Sequence, residues 1–142
     1  EGRCLLARGG WLEQALTQEH DALKRLDMLW WLSRAPDLAQ AERFAPMVIG
    51  LADSLLENGQ AGDKSIQSKK GSGLWNWGRA HWGATNADSA MAWYRRALAL
   101  WTDIGDHERI VFANSQMAPK LMDQGFVDES VEMLVIDRVD RR

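Results

Sequence analysis

The feature that most constrains this chain is a pair of small residues within an apolar segment. Gly78 precedes Ala90 by twelve residues, and neither carries a side chain large enough to keep two helices apart. From Ala90 onward, apolar residues recur three and four positions apart, as on one face of a helix. They are Ala90, Trp93, Tyr94, Ala97, Leu98 and Trp101. The pattern predicts two paired helices over residues 74–84 and 87–104, joined by a turn at Thr85-Asn86.

The first half of the chain is assigned to the same layout. Gly10 also precedes its small partner, Ala22, by twelve residues. Pro36 should end the helix that contains Ala22, and Asp37 can cap a new helix over residues 38–58. Gly59 then occupies the position of a turn. The sequence thus predicts helix pairs before residue 60 as well.

The last quarter of the chain reads as a further helix pair. Gly105 should end one helix, Asp106 can cap the next over residues 107–124, and Gly125 forms the turn after it. Four apolar residues are expected to pack the final helix against its partner: Val127, Val131, Leu134 and Val135. Across the chain, the positions taken as the signature of the paired helices are Gly10, Ala22, Gly78, Ala90, Tyr94, Ala97, Gly125 and Ser130.

Residues 60–73 are the least regular segment. Ile66 is nearly the only apolar residue in it, and Gly71-Ser72-Gly73 is interpreted as a flexible joint. Either the helix there is short and frayed, or residues are missing from the segment. Overall we predict one all-α domain over residues 1–142, a right-handed helix-turn-helix repeat array (α-solenoid) of about seven or eight helices. Its units are placed at 1–36, 37–73, 74–105 and 106–142.

Residues 74–100 resemble the tetratricopeptide repeat family. The segment Trp75-Asn76-Trp77-Gly78-Arg79-Ala80-His81-Trp82 lies where that family has an aromatic residue, Asn, Leu, Gly, Asn, Ala and two tyrosines. Ala90, Tyr94, Ala97 and Leu98 match the signature of its second helix. Units of about 40 residues joined by Gly-Asp are similar to the longer repeats of bacterial signalling proteins and multidomain transcription activators. The resemblance implies a bacterial regulator in which a helical array senses or relays a signal.

Composition and charge exclude several classes of function. With 17 basic and 20 acidic residues and a net charge of −3, the chain lacks the clustered positive charge that binds nucleic-acid phosphates. No apolar run approaches the roughly 20 residues needed to span a bilayer. Cys4 is the only cysteine, which excludes an intrachain disulfide and fits a reducing cytoplasm. We expect a cytoplasmic protein, and we expect this chain to be a piece of a longer one.

The residues that usually carry catalysis are not arranged for it. His20, His81 and His107 lack the spacing of a zinc enzyme, and His81 is expected to pack among aromatic residues. Pairs of carboxylates occur only where helices are expected to begin or end, and Gly71-Ser72-Gly73 lacks the Lys-Ser/Thr of a phosphate loop. The sequence therefore predicts no catalytic residue, no metal ligand and no cofactor.

The eight tryptophans are the one excess in the composition. Most are expected to fill the space between helices, but Trp and Arg are also enriched among residues that dominate binding energy. The candidate groove residues are Trp75, Arg79, Trp82, Asn114 and Trp31. We expect a protein-interaction scaffold whose groove holds a peptide segment or a neighbouring domain. The alternatives are a small-molecule sensor that stacks an oligosaccharide on Trp, self-association through uncovered apolar faces, and an undescribed helical enzyme.

Overall fold

The computed structural model describes the backbone of residues 2–83 and 87–140, and the side chains of residues 10–82 and 87–135. This part of the chain contains no strand and seven α-helices: α1 (Gly2–Gln18), α2 (Ala22–Ser33), α3 (Leu38–Leu55), α4 (Lys64–Gly83), α5 (Ala87–Ile104), α6 (His107–Asp123) and α7 (Val127–Asp140). Residues Leu56–Gln60 follow α3 as a kinked turn, in which Asn58 and Gly59 leave helical geometry and Gly59, predicted to occupy a turn, has a φ of 103°. The predicted all-α class and helix number are confirmed, and the handedness of the array stays a prediction. The predicted turn at Thr85-Asn86 lies outside the described residues.

Each helix packs on the next one along the chain, so the core runs through the array in two parts. One cluster of buried side chains joins α2, α3 and the first half of α4, around Phe44, Val48 and Ile66. The other joins α4, α5, α6 and α7, around Tyr94, Trp101 and Met117. Because α4 contributes to both clusters, it holds the two halves of the chain together. No helix in the described part of the chain is both long and apolar enough to cross a membrane.

The helix crossing predicted at Gly78 and Ala90 is present between α4 and α5. A Cβ added to Gly78 would lie 3.0 Å from the carbonyl oxygen of Ala90 and 3.0 Å from the ring of Tyr94. Ala90 and Ala97 are fully buried, and Tyr94 is nearly so. A larger residue at position 78 would therefore push backbone against backbone.

Helix α4 corrects the prediction for residues 60–73. The helix begins at Lys64 and runs without a break to Gly83, so the expected boundary between residues 73 and 74 falls inside it. Gly71 and Gly73 are buried, and a Cβ added to Gly71 would lie 2.4 Å from Nε1 of Trp101. The expected flexible joint is thus a close contact between α4 and its neighbours. Hydrophobic periodicity missed it because glycine and serine, not apolar side chains, face those neighbours.

The register predicted for the first unit also needs correction. A Cβ added to Gly10 would meet nothing within 4 Å, and Ala22 is half-buried at the start of α2. The pair with the expected burial lies further along the chain. Ser33 on α2 and Ala45 on α3 are also twelve residues apart, and both are fully buried. The helix pair that corresponds to α4 and α5 is therefore α2 with α3, and α1 precedes it.

In the C-terminal helix pair, the predicted turn at Gly125 is confirmed, but the predicted packing face of α7 is wrong. Gly125 ends α6 with a φ of 88°, a left-handed conformation that favours glycine. The Ser130 hydroxyl donates a hydrogen bond to the Ala118 carbonyl at 2.8 Å, which brings α7 close to α6. This crossing turns Ser130 and Met133 inward. The four residues predicted to pack there are about half exposed: Val127, Val131, Leu134 and Val135.

Candidate ligand-binding groove

Two adjoining cavities form an open groove across α2, α4 and α6. The smaller, about 270 Å³, is lined by Arg34, Ser72, Trp75, Asn76, Arg79, Trp101, Arg109 and Phe112. The larger, about 440 Å³, is lined by Trp30, Lys64, Ser65, Ser68, Lys69, Ser72, Ile104, Gly105, Asp106 and Arg109. Ser72 and Arg109 line both cavities, so the two cavities are neighbours on one side of the array. We call this surface the arginine groove.

Two arginines from different helices meet at Trp30 in this groove. The guanidinium carbon of Arg34, which follows the last residue of α2, lies 4.4 Å from the centre of the Trp30 ring. That of Arg109, in the first turn of α6, lies 5.8 Å from it. Among the described residues, neither guanidinium has a carboxylate within 4.0 Å or a hydrogen-bond acceptor. Their free N–H groups are therefore available to a bound molecule.

The electrostatics of Arg34 reflect this placement. Its pKa is lowered from the ordinary value, first because the surrounding protein removes water from the guanidinium and second because of the charge on Arg109. Arginine remains protonated at neutral pH despite such a shift. The two positive charges therefore repel each other in the free protein, and an anion between them would relieve the repulsion.

Arg79 fastens α4 to the end of α2. Its Nη2 donates hydrogen bonds to the carbonyls of Ser33 at 3.1 Å and Ala35 at 2.7 Å. These carbonyls lie at the C-terminal end of α2, where a cation is favoured. Burial lowers the pKa of Arg79, and the neighbouring Tyr94 opposes that shift. Arg79 thus lines the groove with its Nη2 bonded to the protein, while its buried Nε has no hydrogen-bond partner among the described residues.

Trp75 lies at the floor of the groove and exposes little surface to a ligand. It is 6% exposed, and its ring centre lies 4.1 Å from that of Tyr94 and 5.3 Å from that of Phe112. Phe112 on α6 is 39% exposed and supplies the accessible aromatic surface. Asn76 is buried beside Trp75 and donates a hydrogen bond to the Ser33 hydroxyl.

The other three predicted groove residues lie apart from the arginine groove. Trp82 stacks on Tyr94 with ring centres 6.2 Å apart, and the Lys120 ammonium lies over its ring. Asn114 is buried, with 4% of its surface exposed. Trp31 is 60% exposed on the outside of α2, and Arg34 lies 5.2 Å from its ring centre. The structure therefore brings together only Trp75 and Arg79 from the predicted set.

Several other predicted features have structural roles. His81 packs edge-on against Trp77, with ring centres 4.7 Å apart, as expected for an aromatic cluster. Within the segment 60–73 that was predicted to be irregular, Lys69 and Lys70 lie on α4 and form ion pairs with Asp27 and Asp53. Within the described part of the chain, no group of three or more His, Cys, Asp or Glu residues is placed to hold a metal ion. The side chain of Cys4 lies outside the described residues.

A larger cavity differs from the arginine groove in its chemistry. About 780 Å³ lies between α1, α2 and α3, with Leu29, Phe44 and Met47 among its apolar lining. Its cations are already partnered, because Arg25 donates to two backbone carbonyls and Arg43 forms an ion pair with a glutamate of α1. This cavity therefore offers mainly apolar surface, and both of its arginines already contact a partner within the protein.

Sequence reasoning missed Arg34, Arg109 and Phe112. For Arg34 a signal was present, because the segments Leu29-Trp30-Trp31-Leu32-Ser33-Arg34 and Leu74-Trp75-Asn76-Trp77-Gly78-Arg79 align without gaps. Arg34 thus corresponds to Arg79 and faces the same groove. Arg109 and Phe112 carry no such signal, because only the packing of α6 beside α4 brings them to it.

Comparisons with known proteins leave this groove as the main guide to function. No protein-family model matches the chain, and neither curated proteins nor solved structures contain a significant match. Membership of the tetratricopeptide repeat family therefore stays a prediction from the residues quoted above.

Proposed function

We propose that this protein is a non-enzymatic binding module that holds a protein segment in the arginine groove. The observation that carries the proposal is the pair of unpartnered guanidinium groups, Arg34 and Arg109, beside the exposed ring of Phe112. Open grooves across successive helices suit extended peptides, since several helices each supply a few contacts. Arginine and aromatic side chains, the types found here, are enriched among the residues that dominate binding at protein interfaces.

The resemblance of residues 74–100 to tetratricopeptide repeats supports a wider context. We infer a repeat array that belongs to a larger bacterial signalling or transcription regulator and acts in the cytoplasm. The bound segment then comes from another protein or from a neighbouring domain of the same chain. The gapless alignment of the segment before Arg34 with the segment before Arg79 supports an internal repeat.

The test is a selection of short peptides from a random display library on the purified chain. We expect peptides whose binding is weakened by Phe112→Ala. The matched control is Phe126→Ala, because Phe126 is also exposed but does not line the groove. Peptides that bind both variants equally well, or a selection that yields none, would contradict the proposal.

A small-molecule sensor is the second candidate function. The two cavities of the groove, about 270 and 440 Å³, together reach the size of ordinary ligand sites. Trp30 and Trp75 lie in their walls, so a bound oligosaccharide would alter tryptophan fluorescence. Titration with a panel of sugars separates this function from peptide binding, and an unchanged spectrum at millimolar sugar excludes it.

Self-association is a separate proposal for the end of the array. The exposed apolar residues of α7, among them Val131 and Leu134, form a stripe that has no neighbour in the described chain. Apolar patches of this kind are usually covered, and we infer that a second copy covers this one. Light scattering over a range of concentrations should show dimers that Val131→Glu abolishes, whereas a monomer at all concentrations excludes the idea.

A further inference from the structure

The unpartnered arginines indicate which kind of side chain the bound segment presents to the groove. We propose that the segment presents a carboxylate, from Asp or Glu, between Arg34 and Arg109, with an apolar side chain next to it against Phe112. This inference rests on the proposed function, since it names the kind of peptide that the arginine groove takes. It assigns the recognition of charge to Arg34, at the C-terminal end of α2, and to Arg109 on α6.

No carboxylate among the described side chains lies within 4.0 Å of the Arg34 or Arg109 guanidinium. The chain has more acidic than basic residues, and described arginines elsewhere, such as Arg43 and Arg95, do pair with a glutamate. Asp106 is the one acidic residue in the groove lining. One of its oxygens accepts from the Ser68 hydroxyl at 2.6 Å, and the other accepts from the backbone N–H of Arg109. Asp106 is thus engaged in holding α6 against α4.

Trp30 is the common neighbour of both arginines, whose guanidinium carbons lie 4.4 and 5.8 Å from the centre of its ring. A guanidinium over an aromatic face is held by its flat side, and its N–H groups lie in the plane of the guanidinium. Those N–H groups therefore remain free to donate to an oxyanion, and a carboxylate accepts two such bonds in parallel. The Trp30 ring is half-buried and packs edge-on against that of Trp31, with ring centres 5.6 Å apart. Both guanidinium groups already lie beside this ring in the free protein, and groups placed before a ligand arrives lower the entropic cost of binding.

The neighbouring surface indicates an apolar side chain beside the acidic one. Phe112 and Trp75 lie in the wall of the smaller cavity together with Arg34 and Arg109. Their ring centres are 5.3 Å apart, and Phe112 supplies the exposed aromatic surface next to the buried Trp75. A peptide with its carboxylate on the arginines would place the next side chain on that surface.

The experiment uses the peptides selected for the proposed function. We expect Asp or Glu to be enriched at one position among peptides that depend on Phe112. In titrations with a synthetic peptide of this kind, changing its acidic residue to the amide should weaken binding about tenfold or more. Arg34→Gln and Arg109→Gln should each cause a similar loss. In the Arg34→Gln variant, replacing the acidic residue of the peptide with its amide should then weaken binding little further. This result is expected when the arginine and the peptide carboxylate contact each other.

Arg96→Gln is the matched control. Arg96 is an exposed arginine on α5 whose guanidinium also lies over an indole ring, that of Trp93 at 4.6 Å, but it does not line the groove. Binding should be unchanged in this variant. Groove-dependent peptides without an acidic preference would overturn this inference and leave the proposed function intact. A selection with no groove-dependent peptide overturns both.

Discussion

Glycines inside α4 show how single atoms set the spacing of helices in this protein. Gly71, Gly73 and Gly78 all face neighbouring helices, and an added Cβ would come within 3.0 Å of a neighbouring atom at each. Two of these glycines were interpreted from sequence as part of a flexible joint. The error has a physical cause: hydrophobic patterns identify residues that fill space, whereas a glycine at a helix crossing is buried because its neighbour fills the space.

The first prediction concerns Gly71. Gly71→Ala would place a methyl group 2.4 Å from Nε1 of Trp101, a buried ring whose N–H donates to the Ser68 carbonyl. Displacing that ring should lower the free energy of unfolding by about 1–3 kcal/mol, measured by urea denaturation. Gly50→Ala is the control, because an added Cβ there meets nothing within 4 Å and alanine favours the helix by roughly 0.5–1 kcal/mol. Equal stabilities of the two variants would contradict the close contact.

The second prediction concerns Tyr94, the only tyrosine in the chain. Burial raises the pKa of its hydroxyl to about 12, against the opposing charge of Arg79. Because the pKa of Tyr94 is higher in the folded state, its contribution to the free energy of unfolding is fully present below pH 10. Above that pH the tyrosine of the unfolded chain begins to ionise. This contribution is lost as the pH rises towards 12, by on the order of 2 kcal/mol.

Absorbance of the phenolate measures this pKa directly, since no other tyrosine contributes. We expect a midpoint near pH 12 in the folded protein and near 10 in urea. The variant Tyr94→Phe should lose less stability than the original chain between these pH values. Titration of the folded protein with a midpoint at pH 10 would show that Tyr94 is exposed.

At the scale of helices, the residues at which each helix begins and ends were the most readily predicted. Asp37 and Asp106 cap α3 and α6 as expected, and Gly105 and Gly125 both adopt the left-handed conformation that ends a helix. These features depend on local chemistry, which the sequence contains in full. The face that a helix presents to its neighbour depends on the partner as well. The packing face of α7 was therefore missed.

The third prediction tests this corrected face of α7. Met133 is 8% exposed and Val131 is 48% exposed. Met133→Glu buries a charge without a partner and should lower the free energy of unfolding by several kcal/mol, on the order of 3. Val131→Glu should change it by less than about 0.5 kcal/mol in the monomer. Thermal unfolding at low concentration compares the two, and the reverse order of stability would restore the face predicted from sequence.

At the scale of the molecule, the sequence predicts the class of fold better than its site. Periodicity and composition are enough for an all-α array, because every helix carries part of the signal. The arginine groove requires α2, α4 and α6 to lie side by side, and no pattern within one helix encodes that arrangement. Trp75 and Arg79 were predicted because they belong to the clearest helix pair. Arg109 could be recognised only after the helices were assembled.

The most direct test of the account is to map the bound peptide on the protein by NMR. The claim is that a peptide occupies the arginine groove and not the larger cavity between α1, α2 and α3. Adding a selected peptide to the labelled chain should shift the indole N–H signals of Trp30 and Trp101 and the backbone amides near Ser72. Signals of Trp11 and Trp93, which do not line the groove, should stay in place. Shifts confined to residues near Glu13 and Arg43 would contradict the account.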